Sequence, residues 1–112
     1  VSDLTIHQLA EESAKLDAQV VGREIDWRHG ALGIFIELGE TINNLPWRPW
    51  RVEDQRQPTR LELAMAADEF ADAIGTIVRV AIQLGITPTL LDQAVSDYVV
   101  RKYDRLRTGI DG

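Results

Sequence analysis

The run Ala31-Leu32-Gly33-Ile34-Phe35-Ile36-Glu37-Leu38-Gly39-Glu40 places apolar residues all around a helix, which is the pattern of a helix buried on most sides. Glu37 and Glu40 interrupt it. Three residues apart, their carboxylates project from one helix face, and two like charges in a poorly solvated place repel each other unless something compensates them. A second run, Ala64-Met65-Ala66-Ala67-Asp68-Glu69-Phe70-Ala71-Asp72-Ala73-Ile74, repeats the arrangement with Glu69 and Asp72 among small and apolar residues and Asp68 beside them. Burying an ionised carboxylate costs several kcal/mol unless it is paired or metal-bound, and neither run offers a face rich in lysine or arginine. If the two helices lie antiparallel, the acidic pairs can meet in a cage of oxygens suited to Mg²⁺ or Mn²⁺. Acid pairs at this spacing also occur on solvated helix faces, and the residues alone leave both readings open.

Outward from these runs the signals are helical. Thr5 and Gln8 have the spacing of a capping box and open a first helix that runs through Leu9, Leu16 and Val20 to Gly22. A second helix covers Trp27 to Leu45 and stops at Leu45-Pro46-Trp47-Arg48-Pro49-Trp50-Arg51, after which a polar connection reaches Pro58. Thr59 and Glu62 form another capping box and start a long third helix ending at Gly85. Thr87 caps a fourth, with Pro88 at its first position, running into the basic stretch Arg101-Lys102-Tyr103-Asp104-Arg105-Leu106-Arg107. Four helices with one longer loop predict an all-α fold, a four-helix bundle in a single domain over 1–112. Two of the helices are apolar nearly all round, more surface than one small bundle can hide. Further helix packing in a homodimer or homotetramer is therefore expected.

Composition narrows the chemistry. With no cysteine among 112 residues, disulfides, thiolate zinc sites and cysteine nucleophiles are excluded, which leaves hard cations held by oxygen. Neither His7 nor His29 stands in a Glu-x-x-His pattern, against a di-iron carboxylate bundle. The net charge of −6 opposes binding to a nucleic-acid backbone, which needs a surplus of lysine and arginine. No window has the ~18 uninterrupted apolar residues of a membrane span. Val1-Ser2-Asp3 lacks the start of a signal peptide, so a cytoplasmic setting is expected.

Glu37-x-x-Glu40, a gap of 28 residues (41 to 68), then Glu69-x-x-Asp72 resembles the magnesium motif of the all-α nucleoside-triphosphate pyrophosphatases, which include MazG-like proteins and dimeric dUTPases. The segment Ile25-Asp26-Trp27-Arg28-His29 before the first acidic pair and the Trp47-Arg48-Pro49-Trp50-Arg51 stretch after it resemble the dimeric dUTPase branch in particular. Tyr98, Lys102 and the arginines beyond them look like that family's phosphate-binding end. The likeness spans most of the chain from Ile25 onward. It departs around Glu12 to Asp17, where the branch carries a glutamine and an asparagine for the pyrimidine, and around Arg105, where it carries an asparagine. The preferred base is left open by these departures.

What the resemblance implies is a hydrolase that splits a nucleoside triphosphate, dUTP or another, into monophosphate and pyrophosphate. Glu37, Glu40, Glu69 and Asp72 would bind Mg²⁺, with Mn²⁺ as the alternative. Glu37 or Glu40 would accept the proton of the attacking water. Lys102, Arg105 and Arg107 would hold the departing pyrophosphate, with Arg48 and Arg51 adding to them from the loop. Asn43, Trp47 and Trp50 are candidates for sugar or base contact, although a loop tryptophan more often anchors its loop and a helix-ending asparagine is often only a cap. Outside the enzymes, the alternative is a non-catalytic helical interaction or regulatory module whose acids are charged surface.

Overall fold

Local caps determine where the helices begin. In the computed structural model, which describes residues 4–19 and 26–109 and only the backbone of 17–19, α1 spans Ile6–Gln19, α2 Trp27–Asn43, α3 Arg60–Gln83 and α4 Pro88–Thr108. A single 3-10 turn, Val52–Asp54, interrupts the loop between α2 and α3. The described residues are thus all-α, without a strand. Both expected capping boxes form: the Thr5 amide donates to Gln8 and the Gln8 amide to Thr5 Oγ1, and the Thr59 and Glu62 pair is closed in the same reciprocal way. Thr87 accepts from the Leu90 amide ahead of Pro88. Asp26 caps α2 by accepting from the Arg28 amide at 3.1 Å. The α3 helix stops where Gly85 takes φ +95° and the Ile86 amide reaches back to the Ala81 carbonyl at 3.0 Å, a Schellman ending that only glycine adopts without strain. The expected end of α1 at Gly22 lies outside the described residues. No described helix is long and apolar enough to cross a membrane.

The α2 and α3 helices form the most extensive contact, and they run antiparallel. Gly30 near the start of α2 meets Thr76 and Val80 late in α3, while Glu40 and Thr41 near the end of α2 face Glu62, Met65 and Ala66 early in α3. The α1 helix lies mainly on α3, and α4 touches the rest chiefly through α1. The buried apolar residues are small, Ala10, Ala66, Ala73, Val78 and Ala81. This is a set that lets helix axes come close but fills little volume.

Among the described residues no large side chain is fully buried, many are exposed, and Phe35 in the middle of α2 is 77% exposed, so α2 is covered on one side rather than on most sides. Each large apolar side chain left in water forgoes about 1.5–3 kcal/mol of burial. The radius of gyration is 17.3 Å, against about 13 Å for a compact domain of this length.

The tightest point is Gly30, where an added Cβ would lie 2.8 Å from Val80 Cγ2. Val80 is β-branched and confined to one rotamer in a helix, so it cannot swing aside. Gly30→Ala should gain up to about 1 kcal/mol in helix propensity yet lose about 1–3 kcal/mol to overpacking, for a net loss of stability in chemical denaturation. Adding Val80→Ala should return part of that loss. A single variant more stable than the parent would show that the helices do not meet there.

Candidate metal centre

Antiparallel packing of α2 on α3 puts the acidic pairs on facing helices. Glu37 and Glu40 from α2 and Glu69 from α3 line one cleft of about 210 Å³, together with Thr41, Asn44, Leu45, Glu62, Met65 and Ala66. Asp72, one helical turn beyond Glu69, lines a neighbouring cleft of about 500 Å³ where α1 meets the pair, among Ser13, His29, Glu37, Thr76 and Arg79. Glu37 borders both clefts. Three of the four expected ligands therefore share one space, and the fourth is joined to them through Glu37.

The surroundings leave the carboxylates available. Thr41 donates its hydroxyl to the Glu37 carbonyl at 2.8 Å and Thr76 donates to the Asp72 carbonyl at 2.9 Å, so both hydroxyls are satisfied within their own helices. The ion pairs formed among the described residues use His7, Glu11, Glu12, Lys15, Asp26, Arg28, Arg48, Asp54, Arg56, Glu62, Asp104 and Arg107, and none of them uses Glu37, Glu40, Glu69 or Asp72. All four residues are exposed in the chain as it stands, where the sequence pattern predicted poor solvation. The small residues at the contact between α2 and α3 close only a narrow line, and the clefts beside it are open to water. Among the described residues no three acidic or histidine side chains converge closely enough to form a metal-holding group.

Glu62 was legible only as a cap, but it also lines the cleft. Seven residues before Glu69, it falls on the same face of α3, a spacing that could have flagged it. Arg56 holds it with both guanidinium nitrogens, at 2.7 and 2.9 Å. Those bonds, with the Thr59 amide next in importance, pull the Glu62 carboxyl from 4.5 down to about 2. Arg56 reaches it from the loop, six residues away, and no helical spacing announces that pairing.

The other expected substrate residues fall in two places. The loop after α2 is braced by Arg48: its amide donates to Asp54 at 3.0 Å, its guanidinium lies 3.6 Å from the same carboxylate, donates to Asn43 and covers the Trp47 ring at 4.9 Å. Trp47 and Trp50 meet edge to face with centroids 5.5 Å apart, and Arg51 is exposed beside them. Asn43 and Trp47 line an apolar groove on the outer side of α2 that Glu40 also borders. Lys102, Arg105 and Arg107 lie toward the end of α4, and neither acidic cleft includes a residue of that helix. Lys102 sits over the Tyr98 ring at 5.6 Å and Arg107 pairs with Asp104.

No protein family, curated protein or solved structure matches the chain. The likeness to the pyrophosphatases rests on the residues quoted from the sequence.

Because its folded pKa is depressed, Glu62 stabilises the fold above the ordinary carboxylate range, and that contribution is lost as pH falls from 4.5 through about 2. Arg56→Ala should raise the Glu62 pKa partway toward 4.5, read by NMR titration of the side-chain carboxyl, and should flatten the acid limb of stability over the same window. An unmoved pKa would mean that the bidentate contact is not formed in solution.

Proposed function

We propose that this chain is a Mg²⁺-dependent nucleoside-triphosphate pyrophosphohydrolase that cleaves between the α and β phosphates of dUTP or another (deoxy)nucleotide, giving the monophosphate and pyrophosphate. The supporting observation is that Glu37, Glu40 and Glu69 line one cleft and Glu37 is shared with the cleft of Asp72. The donor chemistry suits the ion, hard carboxylate oxygens from two antiparallel helices, none of them engaged in the ion pairs described above, although in the chain as it stands they do not converge on one point. Bound there, Mg²⁺ or Mn²⁺ would neutralise phosphate charge and make a water more acidic.

Glu37 or Glu40 accepts the proton of a water as its oxygen attacks the α-phosphorus, and the bond to the bridging oxygen breaks so that pyrophosphate leaves. Lys102, Arg105 and Arg107, the cations the resemblance assigns to the leaving group, line neither acidic cleft within one chain, so in this reading they reach the phosphates from a neighbouring chain, with Arg51 from the loop. Arg48 acts through the loop it braces. Asn43 and Trp47, which line the outer groove of the acidic helix, and Trp50, edge to face with Trp47, are the candidates for contact with sugar and base. In this view the enzyme works in the cytoplasm as a homodimer or homotetramer, with the four helices of each chain part of a bundle that partner chains complete, and it engages no nucleic acid.

A second reading is favoured by the exposed apolar residues on α2, α3 and α4, which suit a non-catalytic helical interaction module. Pyrophosphate release from a panel of nucleoside triphosphates, with Mg²⁺ and with chelator, separates the two. We expect metal-dependent release from one or a few substrates, and Glu40→Gln or Asp72→Asn should reduce it on the order of 100-fold or more while leaving the helical circular dichroism unchanged. Full activity in either variant would remove these carboxylates from the reaction, and no release from any nucleotide would leave the interaction module.

A further inference from the structure

We infer that the chain selects its nucleotide by the base, preferring a keto base and guanine above all, through Arg79 and Ser13 in the cleft where α1 meets the α2 and α3 pair. The inference rests on the catalytic reading above for the metal and the phosphates. Gly33 and Gly75 stand in the middle of α2 and α3, where glycine is less stable than alanine. Close packing explains Gly30, which Val80 crowds, but a Cβ on Gly33 or Gly75 would meet nothing within 4 Å. Both line the cleft of about 500 Å³ that also holds Glu37 and Asp72, so what these glycines leave is room beside the acidic site. Leu9 and Leu16 of α1 line it too. Walls of bare backbone and aliphatic side chains suit a planar ring, whereas a polyphosphate calls for cationic ones.

The polar groups in that cleft are few and differ in kind. Ser13 is 9% exposed and lines the cleft, yet among the described residues its hydroxyl makes no hydrogen bond. The Thr41 and Thr76 hydroxyls, by contrast, donate to carbonyls of their own helices. A buried hydroxyl left in this way is destabilising until a ligand or water completes it. Arg79 follows Asp72 by seven residues on the same face of α3, about 10 Å farther along the helix. With the phosphates held at Glu37 and Asp72, a base pointing along α3 reaches it. A guanidinium carries five N–H donors and no acceptor, so a single protein partner does not exhaust it. Donors alone match O6 and N7 of guanine together, meet the one O4 of uracil or thymine, and oppose the amino groups of adenine and cytosine. The outer groove at Trp47 shares only Glu40 with the four candidate ligands, and of the two spaces this cleft is the one that takes the base.

The test uses methylene-bridged, non-hydrolysable analogues of dGTP, dUTP, dATP and dCTP. Each is titrated with Mg²⁺ into the parent protein, Arg79→Gln and Gly75→Leu, with binding read by calorimetry and folding by thermal melting. The parent should bind the guanine analogue about tenfold or more tighter than the adenine and cytosine analogues, with uracil between them. Arg79→Gln should move the preference from guanine toward adenine, because a carboxamide both donates and accepts as that edge requires, a change that a purely structural arginine would not produce. Gly75→Leu should melt no lower than the parent, since its side chain enters open space and favours the helix, yet bind every analogue about tenfold or more weakly. Equal affinities in the parent, a preference that Arg79→Gln leaves unchanged, or undiminished binding by Gly75→Leu would each overturn the selection. Guanine preference without hydrolysis of any triphosphate counts against the catalytic reading alone, hydrolysis without the preference counts against the selection alone, and no binding of any analogue overturns both.

Discussion

The close approach of α2 to α3 at Gly30 is the constraint on which the other features depend. A helix pair can come this near only where one side chain is missing and the facing one is rigid, and Gly30 against Val80 supplies both conditions. Once that contact is fixed, the rotation of each helix about its axis is fixed as well. Glu37 and Glu40 then face Glu69 across a cleft instead of pointing to separate surfaces, and Asp72 follows one turn later. Small buried residues, Ala66 and Ala73 on α3 among them, continue the same close packing along the helix.

That economy has a cost in core volume. Alanines let the helices approach but bury little apolar area, and the larger residues are left on the outer faces of α2, α3 and α4. The exposed carboxylates and the exposed apolar residues share one origin: small residues close only a narrow line of contact between α2 and α3, and the side chains to either side of it stay in water. Covering the outer side would raise both the stability of the chain and the strength of any electrostatic interaction in the acidic cleft, because water would be displaced from around it.

Much of the fold was legible because helix boundaries are local. Thr59 with Glu62, Thr5 with Gln8, and Thr87 before Pro88 are spacings of a few residues, and the structure closes each as the spacing predicts. The acidic pairs were legible for the same reason, since positions three apart share a face whatever the tertiary fold. What could not be read is what depends on loops and on helix rotation. Asp54 reaching Arg48, and Arg56 reaching Glu62, are pairings across irregular chain, and the separation of the basic end of α4 from the acidic clefts follows from how α4 leans on α1. Burial of α2 was overestimated because an apolar pattern on all sides of a helix does not say how many of those sides its own chain covers, and here Phe35 and Ile36 stay exposed.

The central claim, that the carboxylates of α2 and α3 form a divalent-cation site, is tested most directly by paramagnetic broadening. Mn²⁺ would be titrated, with and without a non-hydrolysable nucleoside triphosphate, into isotope-labelled protein while backbone amide signals are followed. Selective loss of the signals around Glu37 to Thr41 and Ala66 to Asp72, saturating with metal and reversed by excess Mg²⁺, is the expected result. Broadening spread evenly over the acidic surface, or centred elsewhere, would contradict it.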